Sequence, residues 1–330
     1  MNERTARWLA PATAVLAAGV VLVALLGPLV FGTIEQGVSE SLAHRLEGSD
    51  AVALVVTAPL LLLAAGLIRG RRCTGPLLSL GAALSTWYSV AGLVLGSDRS
   101  VRAGNAEAFF PLFLAILLLA TAVAVGSWRV LPGGSVDLGE AGGRWVGPVL
   151  LGVVAFLVVS RYVPDWVAVV RGTPSTGYLQ GPEHWWTVTV QDLALLLPAV
   201  ATTGAGLLRG ARWAGIAAFA AAGCLGLVGA AVSGMAWSAA VHGDPGASAG
   251  GAWAMTGIGA LTALPAVLCW ATLLRIERRY RSLTEDDRVD RLSEDEAPLP
   301  ARSSSISTPA PPTGRRPLDD TIDLLNAPRS

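Results

Sequence analysis

Side chains able to do chemistry are rare within the apolar stretches of this sequence. Gln191 and Asp192 lie one turn inside the sixth stretch, while Asp50 and Glu107 open the second and the fourth. An ionisable group in the hydrocarbon of a bilayer is costly and usually serves a function. Asp192 is the strongest candidate for binding, because the apolar run already begins at Val188. We expect Asp50 and Glu107 to act mainly as caps, since acids stabilise the positive amino end of a helix.

Motifs for catalysis, cofactor binding or metal binding are absent from the sequence. The histidines His44, His184 and His242 stand alone, without the His-Glu-x-x-His spacing of a zinc site. Glu183-His184 has the residue types for a divalent-metal site or an acid–base pair, but a solvated loop is the simpler explanation. The three cysteines form neither a CxxC motif nor a disulfide framework. We therefore predict no enzyme activity, no cofactor and no metal.

The composition indicates a membrane protein. Apolar residues make up 52% of the 330 residues and charged residues only 15%, whereas about 25% are charged in a soluble protein. Eight stretches are long enough to cross a bilayer as helices, at 10–31, 51–68, 75–96, 108–127, 147–163, 189–208, 213–238 and 252–274. The predicted fold is all-α with eight transmembrane helices in a lipid bilayer. The 24 basic and 24 acidic residues balance, and we predict no nucleic-acid partner.

The positions of the arginines predict the orientation. All basic residues are arginine, and an excess of positive charge marks cytoplasmic segments. With a cytoplasmic N-terminus, that side carries Arg4, Arg7, Arg69, Arg71, Arg72, Arg129, Arg144, Arg209, Arg212, Arg275, Arg278, Arg279 and Arg281. The opposite side carries Arg45, Arg99, Arg102, Arg161 and Arg171. We expect both termini in the cytoplasm. The arginine-only, Ala- and Gly-rich composition suggests the plasma (inner) membrane of a bacterium.

A short motif recurs in the two halves of the chain. Residues 66–75 read GLIRGRRCTG and residues 206–215 read GLLRGARWAG, with six of ten positions identical. We predict two four-helix units, 1–130 and 147–281, joined by a cytoplasmic linker, 131–146. Four spans are an even number, so the units would be parallel repeats. Chance recurrence of Arg/Gly turns is the alternative.

Two prolines lie well inside matching spans of the predicted repeat. Pro59 in the second span and Pro198 in the sixth each remove a backbone N–H and clash with the carbonyl four residues earlier. We expect a kink at each, of the kind that forms binding sites in transporters. The simpler interpretation is that proline is common in membrane helices.

Small residues recur every fourth position in the seventh span. They are Ala218, Ala222, Gly226, Ala230 and Gly234. Small side chains on one helix face let a neighbouring backbone approach closely, so we predict a packing seam there.

The end of the chain has a different composition. An acidic run follows the last span, and then comes the Ser/Pro-rich stretch 303–312. Such a segment buries too little apolar surface to fold, so we predict a disordered cytoplasmic tail at 282–330. Thr321 follows two aspartates and is a candidate phosphorylation site. The apolar residues around Thr321 suggest a motif for a cytoplasmic protein partner.

Asp192, Pro198 and the Arg-bearing turn 207–215 together form a pattern that resembles a group of uncharacterised bacterial, actinobacterial-type, multi-pass membrane proteins. In that group an aspartate opens a helix, a proline interrupts it and an Arg-rich turn closes it. Residues 50–125, with Trp87-Tyr88, resemble the group's first half, although Pro111 stands where an asparagine is expected. The group has no established activity, so the resemblance implies topology alone.

Two functions fit these features. The first is a permease-like protein for a small solute, with its site between the halves near Pro59 and Pro198. The alternative is a non-transporting scaffold or sensor that presents its tail to partners. A polar cavity between the second and sixth spans favours the first, and a closed apolar bundle favours the second. The sequence leaves the oligomeric state open.

Overall fold

The computed structural model of the chain describes residues 3–96, 104–131, 138 and 142–295, and every regular element within them is helical. The α-helices are α1 (Glu3–Leu26), α2 (Glu40–Val52), α3 (Ala58–Arg69), α4 (Thr74–Leu95), α5 (Phe110–Val130), α6 (Gly147–Leu157), α7 (Val163–Val170), α8 (Thr176–Gln180), α9 (Pro182–Gln191), α10 (Leu197–Leu208), α11 (Ala214–Val241) and α12 (Ala249–Asp295). A 3-10 turn, Ala106–Phe109, precedes α5.

These elements combine into eight helices that are long and apolar enough to cross a membrane. Spans 1 to 8 are Arg7–Leu26, Glu40–Arg69, Thr74–Leu95, Ala106–Val130, Arg144–Val170, Pro182–Leu208, Ala214–Val241 and Ala249–Arg275. The predicted eight spans are thus confirmed, and they fit a multi-pass integral membrane protein. Large apolar side chains are exposed along the outer faces of the spans, Val55, Leu118 and Val159 among them, as contact with lipid requires.

Six of the eight spans are longer than predicted, and the differences are largest in spans 2, 5 and 6, where polar ends fold as helix too. Span 2 begins at Glu40, where the Ser39 side chain caps the helix by accepting a hydrogen bond from the backbone N–H of Leu42. Asp50 therefore lies inside the span, and the prediction that it caps the helix is wrong. Span 6 begins at Pro182, which places Asp192 deeper than one turn from its end.

Each of four prolines is the second residue of an α-helix that follows a five-residue π-helical segment. Pro59 follows Ala53–Thr57, Pro148 follows Gly142–Val146, Pro164 follows Val158–Tyr162, and Pro198 follows Asp192–Leu196. A wider π-helical turn leaves room for the carbonyl that would otherwise clash with the proline ring. It also accommodates the loss of the backbone hydrogen bond that proline cannot donate. At Pro59 and Pro198, where kinks are predicted, the structure has a π-helical segment directly before the proline, within a continuous span.

The two turns of the predicted repeat differ in conformation. The backbone takes a left-handed conformation at Arg71 in the first turn and at Gly210 in the second. In the aligned repeat, Gly210 matches Gly70, so the second turn changes direction one residue earlier. The two halves are more alike at Pro59 and Pro198, each of which follows a π-helical segment.

Packing differs between the two ends of the bundle. The end with the N-terminus and the turns 70–73 and 209–213 is called the terminal half. The opposite end, with the segments 27–39, 171–181 and 242–248, is called the cavity half. The largest fully buried side chains all lie in the terminal half, including Leu16, Leu61, Leu77, Leu150 and Val200. The terminal half is therefore closed by apolar packing.

Glycines bring the backbones of neighbouring spans together. A Cβ on Gly48 of span 2 would overlap the carbonyl oxygen of Gly234 in span 7. Gly81 of span 3 meets Gly223 in the same way, and Gly229 meets Gly259 of span 8. Span 7 thus contacts three neighbours through glycine. Of the predicted seam residues, Gly234 approaches Gly48 of span 2 and Gly226 approaches Ala263 of span 8.

The described residues up to Arg279 form one compact unit, which holds the spans of both predicted four-helix units. Of the predicted linker 131–146, the structure describes Leu131, Leu138 and the π-helical Gly142–Val146. Helix α12 continues to Asp295, into the segment predicted as disordered. Acids precede arginines by four residues there, as at 287 and 291, a spacing that favours helix. Residues 296–330, with the candidate phosphorylation site Thr321, lie outside the described residues.

Candidate functional site

A cavity of about 680 Å³ lies in the cavity half, and all eight spans contribute to its walls. Ligand pockets in proteins have volumes of about 300–1,000 Å³, so the cavity has the size for a small solute. Its walls are largely apolar, with polar side chains from Arg45, Ser49, Asp50, Thr57, Ser85, Thr86, Tyr88, Ser89, Ser160, Arg161, Asp165, His184, Gln191, Asp192 and Ser248. It reaches the loops through Gly177, Gly246 and Ala247.

Three of the four predicted polar residues meet at this cavity. Asp50 of span 2 and Gln191 and Asp192 of span 6 all line it. Glu107 does not: it is exposed in the 3-10 turn before α5. Pro59 and Pro198 are exposed and do not line the cavity either. The prolines therefore shape the spans from outside and contribute no surface to the cavity.

Asp192 is the centre of a buried hydrogen-bond network at the inner end of the cavity. Its side chain is 4% exposed. The Tyr88 hydroxyl of span 3 donates to Oδ1 over 2.8 Å, and the Tyr162 hydroxyl of span 5 donates to Oδ2. Because both oxygens accept a hydrogen bond, the group fits a carboxylate held by two phenols. Asp192 thus joins three spans, 3, 5 and 6, at one point.

Gln191 has an acceptor that no protein group uses. Gln191 is 5% exposed. Its side-chain amide nitrogen donates a hydrogen bond to the backbone carbonyl of Tyr88 over 3.5 Å. Its oxygen, Oε1, is buried without a hydrogen-bond partner. An unpaired buried polar atom costs about 1–3 kcal/mol. Since Gln191 lines the cavity, a donor group of a bound solute would relieve that cost.

Arg161 lies beside this network and faces the same cavity. Its guanidinium packs 5.1 Å from the ring centroid of Tyr162. Among the described residues, no carboxylate lies within ion-pair distance of it, although Asp192 and Asp165 are near enough to act on its charge. In the sequence, Arg161 counts only among the arginines on the side opposite the termini. An arginine next to a tyrosine inside the fifth apolar stretch was the available signal.

Asp50 occupies the span 2 side of the cavity. It is partly buried and lies next to Gly27 at the end of span 1, where a Cβ would come within 2.6 Å of Oδ2. In the part of the chain that the structure describes, no donor lies within hydrogen-bond distance of its carboxyl. Asp50 therefore offers an open carboxyl group to the cavity.

A second polar cluster joins span 2 to the segment between spans 7 and 8, next to the cavity mouth. His44 Nδ1 lies 2.7 Å from Asp244 Oδ1, and the Ser41 hydroxyl donates to Oδ2 over 2.9 Å. The rings of His44 and His242 are stacked, with centroids 4.0 Å apart. His242 Nε2 lies 3.4 Å from Glu47 Oε2. Two of the three histidines that stand alone in the sequence, His44 and His242, therefore have partners in the fold.

The Asp244 carboxylate is expected to make the stability of the protein depend on pH. Burial opposes ionisation, but the hydrogen bonds from His44 and Ser41 outweigh it and lower the pKa of Asp244 below its ordinary value. A lowered pKa stabilises the folded protein above the unfolded-state pKa, about 3.9, and that stabilisation is lost as the pH falls through the folded-state value. We expect Asp244→Asn to melt at a lower temperature than wild type near neutral pH and to converge with it in acid.

Thermal unfolding of the detergent-purified protein across the acid range would measure this convergence. Ser41→Ala, which removes one of the two hydrogen bonds, should give a smaller difference of the same form. A melting-temperature difference between Asp244→Asn and wild type that is independent of pH would contradict the assignment.

Among the described residues, no three His, Cys, Asp or Glu side chains lie in an arrangement that could hold a metal ion. The cavity is lined by hydrogen-bonding and charged groups around an apolar space. Comparison of the chain with protein-family models, curated proteins and solved structures finds no match.

Proposed function

We propose that the protein is a permease-like carrier of a small solute, and that the cavity is its solute site. One observation carries the proposal: buried polar groups converge on a cavity of about 680 Å³ that is confined to the cavity half. The terminal half is closed by apolar packing. A site accessible from one side of a sealed bundle is what one state of a carrier would show.

The proposed membrane is the plasma membrane of a bacterium, with both termini in the cytoplasm. The arginine-rich turns 69–72 and 209–212 belong to the terminal half, and they support this orientation through the excess of positive charge on cytoplasmic segments. The cavity would then face outward. The parallel-repeat arrangement is part of the same proposal, supported by the matching π-helical segments before Pro59 and Pro198.

The π-helical segments give the carrier places to bend. Spans 2, 5 and 6 each contain one beside the cavity, and Thr57, Arg161 and Asp192 lie in these segments as well as in its wall. A widened turn has weaker backbone restraint, and such segments occur frequently at functional sites. Rotation at these points would close the cavity half and open the terminal half.

Cysteine labelling from each face of the membrane tests the proposal. Ser89→Cys would be placed in a background with Cys73→Ser, Cys224→Ala and Cys269→Ala. Ser89 lines the cavity and is partly buried. We expect a membrane-impermeant thiol reagent to modify this cysteine from the cavity-half face and, more slowly, from the terminal face, because a carrier exposes its site to both sides in turn.

Two single-cysteine proteins provide face controls. Native Cys73 is exposed in the turn between spans 2 and 3 and should react from the terminal face alone. Val241→Cys, at a residue 78% exposed in the cavity half, should react from the other face alone. If Ser89→Cys reacts solely from the cavity-half face, the protein is a non-transporting sensor, and the carrier proposal fails.

A further inference from the structure

The charged side chains around the cavity are of both signs and are not paired with one another. Arg45 and Arg161 line it together with the carboxyl groups of Asp50, Asp165 and Asp192. Among the described residues, none of these five forms an ion pair with another. A buried Arg45 Nε and the buried Gln191 Oε1 also have no hydrogen-bond partner. The cavity thus offers both unused donors and unused acceptors.

A ligand of one charge sign would suit this cavity poorly. Inside a membrane domain, an unpaired charge is costly, and a ligand that compensates only the arginines would bring its own charge close to three carboxyl groups. A purely cationic ligand would meet two guanidinium groups. A ligand with one positive and one negative group compensates both kinds of side chain and stays near neutral overall.

We infer that the solute is a zwitterion of the amino-acid or short-peptide class with an apolar side chain, an inference that rests on the cavity being a solute site. The carboxylate of the solute binds the guanidinium of Arg161, whose planar donors match two carboxylate oxygens. Its ammonium group donates to Gln191 Oε1. Asp50 supplies the carboxyl group on the span 2 side, and a nearby ammonium favours the ionised form of that carboxyl.

The hydrogen-bond network keeps Arg161 and Gln191 available. Both Asp192 oxygens accept from tyrosines, so Asp192 acts on the Arg161 charge without an ion pair. The Gln191 amide nitrogen donates to the Tyr88 carbonyl, while its oxygen remains unpaired. Asp192 is therefore a positioning residue, which orders the two tyrosines between Gln191 and Arg161.

Apolar residues provide the space for the side chain of the solute. Val23, Leu46, Leu93, Val232 and Ile258 line the cavity beside the polar groups. About 680 Å³ is enough for an amino acid with an aliphatic side chain or for a dipeptide. Burial of such a side chain contributes about 0.8 kcal/mol for each CH₂ group, which favours apolar over polar zwitterions.

The test compares capped and uncapped probes in the full-length protein. L-Leucine and leucyl-leucine each carry both charges. The N-acetyl forms keep only the carboxylate, and the C-terminal amides keep only the ammonium. Each compound would be tested for protection of Ser89→Cys against labelling from the cavity-half face. We expect leucine or leucyl-leucine to protect the cysteine, and the more protective of the two identifies the solute as an amino acid or a peptide. The acetylated and amidated forms of that probe should protect much less.

Arg161→Gln should weaken protection by the effective probe about 10- to 100-fold, as expected for loss of a charge-assisted hydrogen bond. Glu107→Gln, at an exposed carboxyl group that does not line the cavity, should leave it unchanged. Protection by an acetylated or amidated probe as strong as by its parent would overturn the inference, as would no protection by any probe. Protection combined with labelling from one face alone would leave the zwitterion site in place and overturn only the carrier function.

Discussion

Asp192→Asn is expected to destabilise the protein more than any other single polar substitution in the cavity wall. The carboxylate accepts hydrogen bonds from Tyr88 and Tyr162, and an asparagine offers one acceptor oxygen and a donor NH₂ group in its place. One phenol then faces a donor. Loss of a hydrogen bond to a buried charged group costs about 1–3 kcal/mol, and three spans lose their common contact.

Thermal unfolding of the purified protein would measure this loss, with Asp165→Asn as the matched control. Asp165 is also a carboxyl of the cavity wall, but no phenol donates to it. Tyr88→Phe and Tyr162→Phe remove one donor each and should give smaller decreases in melting temperature. If Asp192→Asn melts together with Asp165→Asn and wild type, the network does not hold spans 3, 5 and 6 together.

Gly48→Ala is expected to be the most damaging substitution in the packing between spans. A single methyl group at Gly48 would overlap the Gly234 backbone, which cannot move aside as a flexible side chain could. Spans 2 and 7 would have to separate. Forcing an extra carbon into such a contact typically costs about 1–3 kcal/mol and sometimes more. The cavity wall at Leu46 and Ser49 would shift with span 2.

Gly66→Ala is the control, because Gly66 lies in the same span and a Cβ there would meet no atom within 4 Å. Alanine in an exposed helix is about 0.5–1 kcal/mol more favourable than glycine, so this variant should be as stable as wild type or more so. The yield of folded protein and its melting temperature would be compared. Equal behaviour of Gly48→Ala and Gly66→Ala would contradict the close approach of spans 2 and 7.

The number of spans could be predicted because it depends on average hydropathy, which the sequence states directly. The starts of spans 2 and 6 could not, because several polar residues of 40–50 and 182–191 line the cavity or contact neighbouring spans, as Arg45, Asp50 and Gln191 do. Hydropathy treats such residues as loop. The same error made Asp50 look like a cap, although Ser39 has that role.

The site could be predicted in part. Asp192 and Gln191 stood out as polar residues in an apolar run, and both line the cavity. Their partners Tyr88 and Tyr162 did not, because tyrosine is common near the ends of membrane helices and the pairing joins residues 30 and 104 positions away. Likewise, His44 and His242 are 198 positions apart in the chain, and only the contact between spans 2 and 7 brings them together.

Labelling of Ser89→Cys from the terminal face tests the central claim most directly, namely that the cavity is a solute site that opens to both sides of the membrane. We expect the cysteine to react from that face, more slowly than exposed Cys73. The reaction should also slow when leucine or leucyl-leucine occupies the cavity. No reaction of Ser89→Cys from the terminal face, while Cys73 reacts fully there, would contradict the claim.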